Sequence, residues 1–94
     1  MALTERENIL LEAKAIVTQD RNTDYGTPEQ NFSQIAALWQ IYKGVKFEPH
    51  DVAIMLLLLK VARIATSPDK VDHWVDIAGY AACGGEVRPA QDAP

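Results

Sequence analysis

With one cysteine, Cys83, the chain cannot close an internal disulfide, and His50 and His73 stand at no Cys/His spacing that suggests zinc. A structural metal is not expected. Long apolar runs are missing too: the longest, Val52 to Leu59, has eight residues, against the roughly 20 that a membrane-spanning helix needs. No membrane partner is expected. Positive charge is scarce. Nine Lys and Arg against thirteen Asp and Glu give a formal net charge of −4, and duplex nucleic acid, which requires a basic face to displace its counterions, is not an expected partner. The opening MALTERENILLEA is acidic and amphipathic rather than basic and then greasy, so no secretory signal is visible and a cytoplasmic setting is expected. No internal repeat or low-complexity tract appears. Apolar residues make up 48% of the chain, which argues against disorder.

The apolar positions recur at helical spacing, and start and stop signals divide them into four helices. Thr4-Glu5-Arg6-Glu7 has the form of a capping box and predicts a helix over about 5–18, with Ile9, Leu10, Ala13, Ile16 and Val17 on one face. A polar loop, Gln19 to Thr27, follows. Thr27-Pro28-Glu29-Gln30 begins a second helix, to about Lys43, whose core face reads Phe32, Ile35, Ala36, Trp39 and Tyr42 and whose C-cap is Gly44. Pro49 opens a third, with Asp51 as a capping carboxylate near N3. Because that helix is apolar on nearly every side, it is expected at the centre of a bundle or in a subunit interface. Ser67-Pro68 opens a fourth, ending at Gly84-Gly85. The expected architecture is all-α: a four-helix bundle of two helical hairpins, with residues 1–87 as one domain and 88–94 as a flexible C-terminal tail. A domain of this size buries only roughly 60–65% of its surface, so completion by homo-oligomerisation is expected.

The third and fourth helices carry the most ordered charges. In an antiparallel hairpin turning at Ala65 to Pro68, opposed residues have numbers adding to about 135, which sets Lys60 against Asp76 and Arg63 against Asp72. On the fourth helix Asp72, Asp76, Gly79 and Cys83 fall on one stripe, and Val71, Trp74, Val75, Ala78, Ala81 and Ala82 on another. Two carboxylates one turn apart can hold a Mg²⁺ ion together with substrate phosphates, and Lys60 and Arg63 can hold the phosphates themselves. The bland alternative is a set of interhelical salt bridges. In the long loop, Arg21 can bond phosphate or carboxylate in bidentate fashion, Tyr25 can stack on a base, and Gly26 permits φ > 0; Asn31 adjoins them on the next helix. Each loop residue has an ordinary structural alternative: Arg21 bridging an acid of its own domain, Tyr25 plugging the end of the bundle, Gly26 serving the turn.

Tyr25-Gly26, Asn31-Phe32, Trp39, Asp51-Val52, Lys60-Val61-Ala62-Arg63 and the run Asp72 to Ala81, DHWVDIAGYA, resemble a group of short, largely phage-encoded proteins of unassigned function, over about residues 8–87. More distantly, and mainly through the last two helices, the pattern resembles the MazG-like all-α nucleoside triphosphate pyrophosphohydrolases and related nucleotide-modification-associated domains. That resemblance implies a dimer or tetramer of helices, a nucleotide ligand and Mg²⁺, with Asp76 and Asp72 on the second acidic motif. It departs from the pattern where the enzymes carry EExxE: this chain reads LLLLKVARI, with Lys60 and Arg63 in place of acids. The remaining acids available to a metal cluster are Asp51 and Glu12.

Three readings stay open at this level. One is a MazG-like nucleotide-binding protein acting as a Mg²⁺-dependent pyrophosphohydrolase, with Lys60, Arg63 and Asp76 as catalytic groups, Asp72 and Asp76 as metal ligands, and Arg21, Tyr25 and Asn31 on base or ribose. Another is a non-catalytic phage accessory protein, in the host cytoplasm, that sequesters a nucleotide or binds a host protein. A plain helical assembly module is the third reading.

Overall fold

Four helices carry the chain in the computed structural model, which describes residues 2–20 and 26–91, the side chains of 19 and 20 excepted. They are α1 (Glu5–Ala15), which widens into a π-helical turn over Ile16–Asp20, α2 (Pro28–Lys43), α3 (Pro49–Thr66) and α4 (Val71–Glu86). No strand occurs among the described residues.

Local chemistry fixes the starts. Thr4 and Thr27 each close a capping box, with Glu7 and Gln30 at N3, so orphan amides are satisfied in both directions. The Thr4 amide, and then its hydroxyl, hold the Glu7 carboxyl below the usual carboxylate range. Its lowered folded-state pKa makes this increment present above the unfolded value and lost as pH falls through the folded one. Asp51 caps α3 as expected, its Oδ2 accepting from the Glu48 amide at 2.8 Å. Gly44 ends α2 at φ 71°, a left-handed position that a glycine takes without strain.

The fourth helix departs from expectation at both ends. Ser67-Pro68 does not open it; the four residues Ser67 to Lys70 form a tight turn closed by the Lys70 amide on the Ser67 carbonyl at 3.3 Å. Proline suits the second position of such a turn as well as it suits a helix start. Trp74 fastens the turn, its indole N–H donating to the Pro68 carbonyl at 3.0 Å. At the other end Gly84 and Gly85 lie inside α4. Gly84 is there for close approach, since a Cβ on it would stand 3.0 Å from the Ala53 Cβ of α3.

Adjacent glycines therefore predict opposite signs. Gly84→Ala forces two helix backbones apart, a strain of about 1–3 kcal/mol that outweighs alanine's propensity gain of up to about 1 kcal/mol. Gly85→Ala, whose Cβ meets nothing, keeps the gain. Urea denaturation of the two variants should move the midpoint down for the first and up for the second.

Helices α3 and α4 form the hairpin at the centre; α1 packs on α4, and α2 packs chiefly on α3. The second expected hairpin is not seen among the described residues: α1 and α2 flank the central pair rather than pairing extensively with each other. The core gathers Phe32 and Ala36 of α2, Val52 and Ala53 of α3 and Cys83 of α4, with Trp39, Phe47, Leu56, Tyr80 and Val87 packed around them. Ala13 and Val75 are buried where α1 meets α4.

Two expected faces shift. Tyr42 is 85% exposed rather than in the core; Trp39 is the last residue of α2 packed against the core cluster. On α4 the buried stripe is Val75, Gly79 and Cys83, while Val71, Trp74, Ala81 and Ala82 are exposed. The inward face thus lies on the side first assigned to the charges. Helix α3 is not enclosed either: Val52 and Ala53 are buried, yet Ile54, Met55, Leu58, Leu59 and Val61 lie on the surface. No described helix is long and apolar enough to cross a membrane.

Candidate functional site

The central hairpin brings one expected pair together and not the other. Lys60 Nζ lies 2.7 Å from Asp76 Oδ2, with the two side chains 17% and 33% exposed. Arg63 and Asp72 are both exposed and form no ion pair among the described residues. Three residues advance a helix by about 300° and four by about 400°, so aligning Lys60 with Asp76 rotates the second pair out of register.

Asp76 also lines a cavity of about 20 Å³ between α1 and α4, with Ala13, Val17, Gly79, Tyr80 and Cys83 among its walls. Such a volume suits about one water molecule, not a nucleotide. Gly79, expected where a ligand or a helix comes close, serves a helix: Val17 Cγ1 lies 3.2 Å from where its Cβ would be.

Mg²⁺ fits these residues poorly. No three His, Cys, Asp or Glu side chains converge on a common point among the described residues, Asp76 is engaged by Lys60, and Asp72 is exposed in the first turn of α4, where it complements the helix dipole. Glu12 is exposed on α1, and Asp51 is occupied in capping, with His50 Nε2 3.7 Å from its other oxygen.

The larger hollow lies at the turn end of the hairpin. It is an open groove of about 450 Å³ lined by Leu59, Ala62, Arg63, Thr66, Ser67, Lys70 and His73. Every ionisable side chain in that lining is basic, in a chain whose net charge is −4. Two hydroxyls accompany them. Lys70, at the N-cap of α4, makes no side-chain cap; its carbonyl accepts from the His73 amide at 3.2 Å. His73 Nδ1 is shielded from solvent and has no hydrogen-bond partner among the described residues, where buried polar atoms are ordinarily satisfied. The arrangement suits an anion with several oxygen acceptors: guanidinium and ammonium for charge, hydroxyls for geometry.

Of the residues expected at the site, Arg63 lines this groove, Lys60 and Asp76 are bonded to each other beneath the hairpin surface, Asp72 stands outside, and Asn31 is half-buried on the first turn of α2. Arg21 and Tyr25 lie outside the described residues. Lys70, His73, Thr66 and Ser67 were not anticipated. A register centred on the true turn, Ser67 to Lys70, would have gathered them.

Residues 8–88 match the model of a family described as "Domain of unknown function (DUF6378)". Among curated proteins, the chain is 48% identical over 86 residues to the "Gene 55 protein" of Mycobacterium phage L5, covering 90% of this chain and 55% of that one. It is 39% identical over 90 residues to the "Gene 55 protein" of Mycobacterium phage D29, covering 94% and 60%. The chain thus spans little more than half the length of these relatives. No solved structure matches it.

Proposed function

We propose that the chain, which belongs to the DUF6378 family, binds the phosphate groups of a nucleotide in the basic groove at the α3–α4 turn. The observation that carries this reading is the groove's lining, in which Arg63, Lys70 and His73 meet without a carboxylate among them. Its volume of about 450 Å³ falls in the range of small-molecule sites, roughly 300–1,000 Å³. The resemblance of α3 and α4 to nucleotide-handling helical proteins supports a nucleotide rather than another polyanion.

Arg63 provides the planar two-pronged contact, Lys70 a point charge, and Thr66 and Ser67 hydroxyl donors. Lys60 and Asp76, engaged with each other, hold the hairpin rather than the ligand. Binding without turnover is the form we infer, because Lys60 and Arg63 stand where the resembling enzymes carry acids; this is the sequestering role rather than the pyrophosphohydrolase.

Calorimetry with a panel of nucleoside triphosphates, alongside inorganic triphosphate and a pyrophosphate-release assay, tests the reading. Arg63→Ala is expected to weaken triphosphate binding by more than about tenfold, the loss of one charge-assisted contact, and added salt should weaken it further. Unchanged affinity in Arg63→Ala would remove the groove from consideration. Equal affinity for inorganic triphosphate would reduce the ligand to its phosphates, and pyrophosphate release would restore the enzyme.

A further inference from the structure

The groove's polar groups are not all held with equal firmness. Arg63 and His73 stand within α3 and α4, whose backbones are fixed by their own i→i−4 bonds. Ser67 ends α3 and Lys70 precedes α4, so where their side chains stand depends on the turn between them. That turn closes weakly. The bond from the Lys70 amide to the Ser67 carbonyl is 3.3 Å long, beyond the roughly 2.7–3.2 Å usual for N–H···O.

A firmer bond comes from outside the turn. Closure through Ser67 and Lys70 leaves the Pro68 carbonyl to find another donor, and the Trp74 indole N–H supplies it at 3.0 Å. Burial does not account for the tryptophan: its ring is 46% exposed, whereas the next residue, Val75, is 2% exposed. The donor does.

We infer that Trp74 is a positioning residue for the groove, its indole N–H setting the turn so that the Ser67 hydroxyl and the Lys70 ammonium stand beside Arg63 before the ligand arrives. This rests on the phosphate-binding reading above and adds the part that orders the site. Ordering done in advance is not charged against binding. The bond also governs a repulsion. Asp69, the third residue of the turn, is exposed and outside the groove's lining; a turn released from Trp74 is free to bring that carboxylate toward the anion, where like charges oppose binding.

The test replaces one atom group and keeps the ring. Trp74→3-benzothienylalanine retains the shape of the indole with sulfur in place of N–H, and calorimetry on the full chain with inorganic triphosphate and with ATP should show both bound about three- to tenfold more weakly, the worth of one hydrogen bond. Coupling is reciprocal. In the unsubstituted chain, saturating triphosphate should therefore slow hydrogen exchange of the Trp74 indole N–H, followed by NMR, by about the factor that the variant loses in affinity, and leave the Trp39 indole unchanged. With Lys70→Ala in place, the same replacement should cost less, because the charge being positioned is gone. A bond that merely steadies the fold lowers the urea midpoint and produces none of these effects. Unchanged affinity in the variant, or indole exchange indifferent to triphosphate, overturns the inference and leaves the groove as a site; failure of the unsubstituted chain to bind either probe overturns the phosphate-binding reading, and this inference with it.

Discussion

Phe32→Ala should lower the unfolding free energy by about 3–4 kcal/mol, the largest single loss expected anywhere in the chain. Phe32 is 1% exposed and is the largest side chain in the core, where α2 meets Val52 and Ala53 of α3 and Cys83 of α4. Those neighbours are small, and three of the four helices contribute to the cluster, so the vacated space cannot close without moving a helix. A domain of this length has roughly 5–14 kcal/mol of stability in all. The variant should therefore lose about a fifth or more of the total. Urea denaturation followed by circular dichroism, with both proteins at one concentration so that any self-association acts equally, gives the number. A loss below about 1 kcal/mol would mean that α2 does not seat on α3 through Phe32.

Asp76→Ala should cost about 2 kcal/mol, and the cause differs. It removes the partner at 2.7 Å from an ammonium whose side chain is only 17% exposed, and a half-desolvated charge left alone is penalised more than the pair was ever worth. The full 3–5 kcal/mol typical of a buried pair is discounted because Asp76 is a third exposed, and Lys60 can reach toward water along its stem. Replacing both, Lys60→Met with Asp76→Leu, should recover most of the loss. The coupling from the double-mutant cycle measures the pair directly. Additive losses would show that Lys60 and Asp76 act independently, whereas loss of nucleotide affinity at unchanged stability in Asp76→Ala would return the aspartate to the ligand.

This pair also shows how far the residues announce the fold. Helix starts were legible because capping is a local matter: Thr4, Thr27, Pro28 and Asp51 act within three residues of themselves, and Gly44 needs only its own φ. The Lys60–Asp76 contact was legible because a hairpin's register depends on one number, the position of its turn. What stayed hidden depended on neighbours. Ser67-Pro68 serves equally as a helix start and as a turn, and the choice is made by where the Trp74 indole finds a carbonyl. Gly84 reads as a stop signal until Ala53 is placed against it. Tyr42 continues the periodicity of α2 faithfully, but periodicity cannot say where the core stops, and here it stops at Trp39. The groove was missed for the same reason. Arg63 was read against Asp72 across the hairpin, when its companions, Lys70 and His73, belong to the turn and the helix start beside it.

The hydrogen bond from Trp74 to the Pro68 carbonyl has an optical consequence. The chain has two tryptophans. Trp39 packs edge-on against Phe47 beside the core, in surroundings that favour blue emission. Trp74 is 46% exposed, sits next to His73 in the chain and is tied to the turn that closes the groove. Its fluorescence reports that turn without a label: anything that shifts Ser67 to Lys70 changes the red-edge signal and leaves the blue one alone.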